Sequence, residues 1–148
     1  MPRIVREAAV HWEGNLARGA GAITATSSGA FVELPFSIAS RIAVAPDQTS
    51  PEELLAAAHG GCFTMSLAGE LTKAGTPPER LDVHCTITMD EVEGKGHQIV
   101  HSQIVAHGTV PDCDEAAFAQ AAEAADASCP FSALIRASAT VAVTATLS

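Results

Sequence analysis

Apolar and polar positions alternate most regularly from Leu81 to Val92. Leu81, Val83, Cys85, Ile87 and Met89 fall on one face, and Asp82, His84, Thr86, Thr88 and Asp90 on the other. That period of two predicts a half-buried strand. Glu93 to Gly96 reads as a turn, and Ile99 to Val110 as a second strand. The pattern changes between Ser50 and Ser66, where apolar and small residues recur at helical spacing: Leu54, Ala58, Met65 and Ala68, and also Leu55, Ala58, Cys62 and Met65. This predicts one long helix. Pro51 suits its first position, and Glu52 and Glu53 its first turn. Its end is expected near Lys73, with Gly75 just beyond and Pro77-Pro78 after that. So little charge on a helix predicts burial, on more than one side.

The same reading extends to the rest of the chain. Arg3 to Trp12, Ala22 to Thr26 and Ala30 to Phe36 are expected as strands, the last two joined at Ser27-Ser28-Gly29. A short apolar segment, Ile38 to Val44, contains Arg41. Asp114 to Ala127 is an alanine-rich helix broken at Ser128-Cys129-Pro130. Ser128 is the expected cap and Pro130 an early position of a new short helix to Ile135. Ala137 to Leu147 is a Thr/Val-rich strand. Strands, helix, two strands, broken helix, strand: the order predicts an α+β fold with mostly antiparallel sheet. Residues 1–148 are expected to form one domain, in one lobe or two, with no internal repeat.

Composition excludes several functions. A net charge of -9, with 8 Lys and Arg against 17 Asp and Glu, argues against nucleic acid, since phosphate contacts need clustered cations. No apolar run reaches the roughly 18 residues of a membrane span. Residues 1–7 hold no signal-like hydrophobic stretch, so the expected location is cytoplasmic. None of the four cysteines, Cys62, Cys85, Cys113 and Cys129, forms a CxxC pair, which argues against a zinc ribbon or thioredoxin motif. In a reducing compartment a disulfide among them would be transient and catalytic. The histidines, including His97, His101 and His107, show no convincing three-ligand spacing, so no metal is expected.

Each candidate group has a plain structural use as well. Cys62 is either a small buried hydrophobe or a reactive thiol. Gly60-Gly61 before it weakens a helix by roughly 1 kcal/mol per glycine, which points to a close approach of other backbone or a ligand. Cys129 sits where a helix begins, a place that favours a thiolate. Cys62 lies far from its own helix start and needs a separate positive partner. Arg18 lies in a Gly-rich loop, and Arg41, in an apolar setting, must find a partner or water; for either, a solvated or salt-bridged surface residue is the plain use. Glu52 is explained by helix-dipole compensation alone.

Taken together, these stretches resemble the OsmC/Ohr family of thiol-dependent peroxidases, and the OsmC branch more than the Ohr branch. The resemblance is carried by His11-Trp12-Glu13-Gly14 with Arg18-Gly19, by Ser40-Arg41, by Ser50-Pro51-Glu52-Glu53-Leu54-Leu55 leading to Ala58-His59-Gly60-Gly61-Cys62-Phe63-Thr64-Met65-Ser66-Leu67, and by Cys129-Pro130-Phe131-Ser132. It covers nearly the whole chain. Gly60-Gly61 stands where alanines are common, and Phe131 where a smaller aliphatic residue is usual. The resemblance implies an OsmC-like fold with a long central helix, built as an intertwined homodimer. It implies reduction of organic hydroperoxides, and hydrogen peroxide less efficiently, with neither metal nor flavin as cofactor. By this analogy Cys62 attacks the peroxide and Cys129 resolves it as a disulfide. Arg18 matches the arginine best known in the Ohr branch, Arg41 a recurrent OsmC-branch arginine, and Glu52 the carboxylate that orients the arginine. The implied reductant is a dithiol such as a lipoylated protein.

Two other functions compete. One is a non-enzymatic redox sensor or small-ligand binding protein on the same fold. The other is a thiol hydrolase pairing Cys62 with His59, neighbours at i, i+3 on a helix, although no oxyanion donor is evident in the sequence.

Overall fold

A computed structural model describes residues 2–148. The chain divides into two compact units, Met1–Pro51 and Glu52–Ser148.

The first unit is a three-stranded antiparallel sheet in the order β1 (Ala9–Glu13), β2 (Ala20–Thr24), β3 (Leu34–Phe36), followed by a short helix α1 (Ile38–Arg41). The β2–β3 connection turns where Ser27-Ser28-Gly29 predicts it, with Gly29 at φ +66. β2 starts and ends two residues before the expected Ala22 to Thr26, β3 is shorter than the expected Ala30 to Phe36, and Ile38 to Arg41 is helical. Ser37 caps α1, its side chain accepting from the Ser40 N–H. Trp12 and Phe36 pack at 5.5 Å between ring centroids. Gly21, paired with both residues across β2, lies under the Phe36 ring, and a β-carbon there would meet ring atoms at 2.7 Å.

The second unit opens with α2 (Pro51–Lys73) and continues through β4 (Arg80–Val92), β5 (Gly96–Thr109), α3 (Glu115–Ser128), α4 (Pro130–Arg136) and β6 (Thr140–Leu147). β4 follows the predicted alternation along its length: Leu81, Val83, Cys85, Ile87 and Met89 are half-buried and the residues between them exposed. β4 pairs antiparallel with β5, with one irregularity at Thr88/Met89, and β5 pairs parallel with β6. The sheets are therefore mostly antiparallel. The exception is the parallel pair, which needs a crossover connection, supplied by α3 and α4.

The core of this unit is built from three faces. α2 contributes His59, Phe63, Leu67 and Leu71. β5 turns in Ser102, Ile104 and Ala106, and α3 contributes Phe118, Ala121, Ala122 and Ala125 at i, i+3, i+4, i+7. Cys129 completes it, 1% exposed. The buried stripe of α2 thus runs through His59 every four residues. Met65, expected inside from its spacing, is 73% exposed. A helix apolar on nearly all sides does not announce which face its own chain covers.

Candidate active site

Cys62 projects from the middle of α2, and Cys129 from the junction of α3 and α4. Both thiols are free and act on one another: Cys129 and the Phe131 backbone amide are the neighbours that influence the Cys62 thiol. Burial pushes the Cys62 thiol above its ordinary value, and Cys129 pushes it further up. The Phe131 amide opposes both. Helix-start reasoning assigned the free amides of α4 to Cys129. The structure places Cys129 at that start, and the Phe131 amide of the first turn also lowers the pKa of Cys62. Cys129 itself is the N-cap of α4 and makes no side-chain cap bond. The expected cap, Ser128, donates its hydroxyl back to the Ala125 carbonyl instead.

The remaining sequence candidates are spread over both units. Glu52 stands in the first turn of α2, ten residues before Cys62, which is about 15 Å of helix rise. It does not reach the sulfur on its own helix. Arg18 and Arg41 both belong to the first unit. Arg18 is exposed, and its backbone N–H bonds the Asn15 side chain at 3.0 Å. Arg41 ends α1 and lines a cavity of about 70 Å³ with Trp12, Leu16 and Phe36. Beside the two cysteines in sequence, Phe63 is fully buried in the core and Phe131 packs half-buried against it.

A buried polar cluster lies one helical turn before Cys62, and the sequence reading used it only in passing. His59 is fully buried. Its Nδ1 is 2.8 Å from the Ser102 hydroxyl on β5, and its Nε2 is 2.8 Å from the Ser132 hydroxyl on α4. Both serines are themselves fully buried. Burial lowers the His59 pKa below its ordinary 6.5, with Asp126 raising it and Arg136 lowering it to smaller extents. A neutral imidazole carries one donor and one acceptor, so one serine accepts from the ring and the other donates to it. Cys85 borders the cluster, with Sγ 3.6 Å from Ser102 Oγ and 3.9 Å from His59 Nδ1, and burial pushes its thiol up. The sequence did hold a signal. A histidine among small apolar helix residues, and a serine on the inward face of β5, must each find partners once buried.

Two absences apply to the described residues. No group of three or more His, Cys, Asp or Glu is placed to hold a metal ion, and no helix is long and apolar enough to cross a membrane.

The geometry has counterparts in known proteins. The chain is 33% identical over 138 residues to Peroxiredoxin OsmC of Escherichia coli strain K12, covering 93% of this chain and 94% of that protein. Its fold is similar to that of an organic hydroperoxide resistance protein OsmC from Legionella pneumophila, with a TM-score of 0.75 and 17% identity over 97% of this chain and 99% of that one. It is also similar to that of OhrB of Bacillus subtilis, with a TM-score of 0.72 and 21% identity over 95% and 98%. The model of the OsmC-like protein family matches residues 45–144. The chain belongs to the OsmC-like protein family.

Proposed function

We propose that this protein is a cysteine-based peroxidase that reduces organic hydroperoxides, and hydrogen peroxide less efficiently. The observation that carries the proposal is the contact between Cys62 and Cys129 inside the second unit, in a chain one-third identical to a protein named as a peroxiredoxin.

The chemistry takes two steps. The Cys62 thiolate attacks the terminal peroxide oxygen. The O–O bond breaks, the alkoxide leaves and takes a proton to become the alcohol, and Cys62 becomes a sulfenic acid. Cys129 then attacks the Cys62 sulfur. An S–S bond forms, the S–O bond breaks, and the hydroxide leaves as water with the proton of the Cys129 thiol. A dithiol, such as a lipoylated protein, reduces the disulfide and is itself oxidised.

The first step needs ionised Cys62, and burial works against ionisation. A guanidinium supplies what the Phe131 amide alone does not: positive charge beside the thiolate, and stabilisation of the leaving alkoxide. Arg18 or Arg41 fills that role in this proposal. Glu52 orients the arginine, in its own subunit or across an intertwined homodimer. The 73% exposed Met65 on α2 supports such a dimer, and residues 1–148 are proposed to be one OsmC-like domain. The proposed location is the cytoplasm.

The experiment is steady-state consumption of cumene hydroperoxide with dihydrolipoamide, glutathione or thioredoxin as reductant. Turnover is expected with dihydrolipoamide, and loss of all turnover in Cys62→Ser. Undiminished turnover in that variant rejects the assignment. The raised Cys62 pKa favours one competing function, a sensor that oxidises slowly. Oxidation without dithiol-driven turnover decides for the sensor.

A further inference from the structure

His59 uses both ring nitrogens within the interior. With Ser102 on Nδ1 and Ser132 on Nε2, each at 2.8 Å, neither nitrogen is available as a base for Cys62. This removes the support for a hydrolytic Cys62–His59 pair. What the imidazole does is join three elements. α2 carries it and Cys62, β5 carries Ser102, and Ser132 is the third residue of α4, three positions after Cys129. The far end of α4 is anchored separately, where Arg136 pairs with Asp126 of α3. The first turn of α4, which delivers both Cys129 and the Phe131 amide to Cys62, is tied to α2 through Ser132.

We infer that His59 is a positioning residue for disulfide formation: through Nε2 and Ser132 it holds the start of α4 so that Cys129 stays within reach of Cys62. The kinetic part of this inference rests on the peroxidase proposal. The positional part does not. In the step concerned, the Cys129 sulfur bonds to the Cys62 sulfur of the sulfenic acid, and the hydroxyl departs as water with the thiol proton. An S–S bond requires sulfurs about 2.05 Å apart in a narrow torsional range, so freedom in α4 directly dilutes the pair. The Ser102 bond shares the imidazole but does not touch α4, and it serves as the internal control.

Two substitutions of His59 separate the bonds. A glutamine amide reaches toward the Nε2 position, and an asparagine amide toward the Nδ1 position. His59→Gln therefore keeps the tie to Ser132, and His59→Asn keeps only the bond to Ser102.

The first measurement equilibrates the purified full chain and its variants in glutathione redox buffers. Mass spectrometry then counts the Cys62–Cys129 disulfide. Ser132→Ala and His59→Asn are expected to lower the disulfide equilibrium constant about tenfold, which is about 30 mV for this two-electron couple. Ser102→Ala and His59→Gln are expected to stay within about threefold of wild type. Ser132→Ala at the wild-type value, or a loss in Ser102→Ala as large as in Ser132→Ala, overturns the inference. If Ser132→Ala does not fold, the order of the two His59 variants decides, and asparagine equal to or better than glutamine overturns it.

The second measurement adds one equivalent of cumene hydroperoxide and traps sulfenic acid with dimedone. Ser132→Ala is expected to yield about tenfold more trapped Cys62 per peroxide consumed. Wild-type protein that never oxidises under these conditions rejects the peroxidase proposal, and the glutathione measurement still decides the positional one. Equal trapping in Ser132→Ala and wild type overturns the kinetic part alone.

Discussion

Gly60 faces the Cys85 side chain so closely that a β-carbon built on it lies 3.2 Å from Cys85 Cβ, whereas a β-carbon on Gly61 meets nothing within 4 Å. Two adjacent glycines in one helix thus have different reasons to be there. Gly60 lets β4 approach α2. Gly61 lies at the open groove between the same two elements. Gly61→Ala is expected to stabilise the chain by up to about 1 kcal/mol through helix propensity. Gly60→Ala is expected to gain nothing or lose stability, because the neighbouring thiol side chain must move. Urea unfolding of the two variants checks the sign, and a loss in Gly61→Ala means the groove is covered in the assembled protein.

Gly108 and Phe118 make a tighter pair. A β-carbon on Gly108 would sit 2.7 Å from two carbons of the Phe118 ring, and that ring is fully buried in the second unit's core. Gly108→Ala is expected to cost about 1–3 kcal/mol by overpacking. Phe118→Ala is expected to cost about 3–5 kcal/mol by leaving a cavity. Denaturant midpoints measure both.

The buried His59 makes stability depend on pH. Its folded pKa lies below the ordinary 6.5, so between the two values the unfolded chain binds more protons than the folded one, and stability rises with pH. The His59 contribution is present above about 6.5 and is lost as pH falls through the folded pKa. Protonation also turns both ring nitrogens into donors and forces one serine hydroxyl to reverse. The groups facing the ring from other elements are Ser102 and Cys85 from the sheet, Ser132 and Arg136 from α4, and Asp126 from α3. Thermal melts from pH 7.5 to 5 are expected to show a falling Tm whose slope is reduced in His59→Gln. An unchanged slope in that variant places the titration elsewhere.

Burial raises the pKa of Cys62, and Cys129 raises it further. Cys129→Ala is therefore expected to lower the Cys62 ionisation midpoint, as followed by thiolate absorbance near 240 nm. In the proposed cycle the same variant reacts with one equivalent of hydroperoxide and then stops as a sulfenic acid. A midpoint that rises instead means the Phe131 amide depends on Cys129 for its aim.

The sequence pattern located the elements well where one residue type carries one meaning. Pro51 and Gly75 bracket α2 at its observed limits, and the strict alternation of Leu81 to Met89 appears residue by residue in β4. Four features stayed hidden for physical reasons. Parallel and antiparallel strands share a period of two, so the β5–β6 direction left no trace in the Thr/Val run. An all-round apolar α2 offered two stripes, and the covered one passes through a histidine. The influence of the α4 start on Cys62 as well as on Cys129 is a tertiary effect between residues far apart in the chain. The two cysteines themselves were legible from their settings, one inside a long helix and the other before a proline. The polar cluster joining their helices was not, because its members are 43 and 73 positions apart in the chain.

The crossover from β5 to β6 has a consequence for the order of events during folding. Cys129 rides on that crossover, between a strand and the parallel neighbour it must find after some 30 intervening residues. Parallel closures of this kind have high contact order and come late. α2 and the β4–β5 hairpin can assemble from local contacts while Cys129 is still untethered. On this topology the expected order of folding brings Cys129 to Cys62 late, so the dithiol of the proposed cycle is a property of the completed second unit rather than of its early stages.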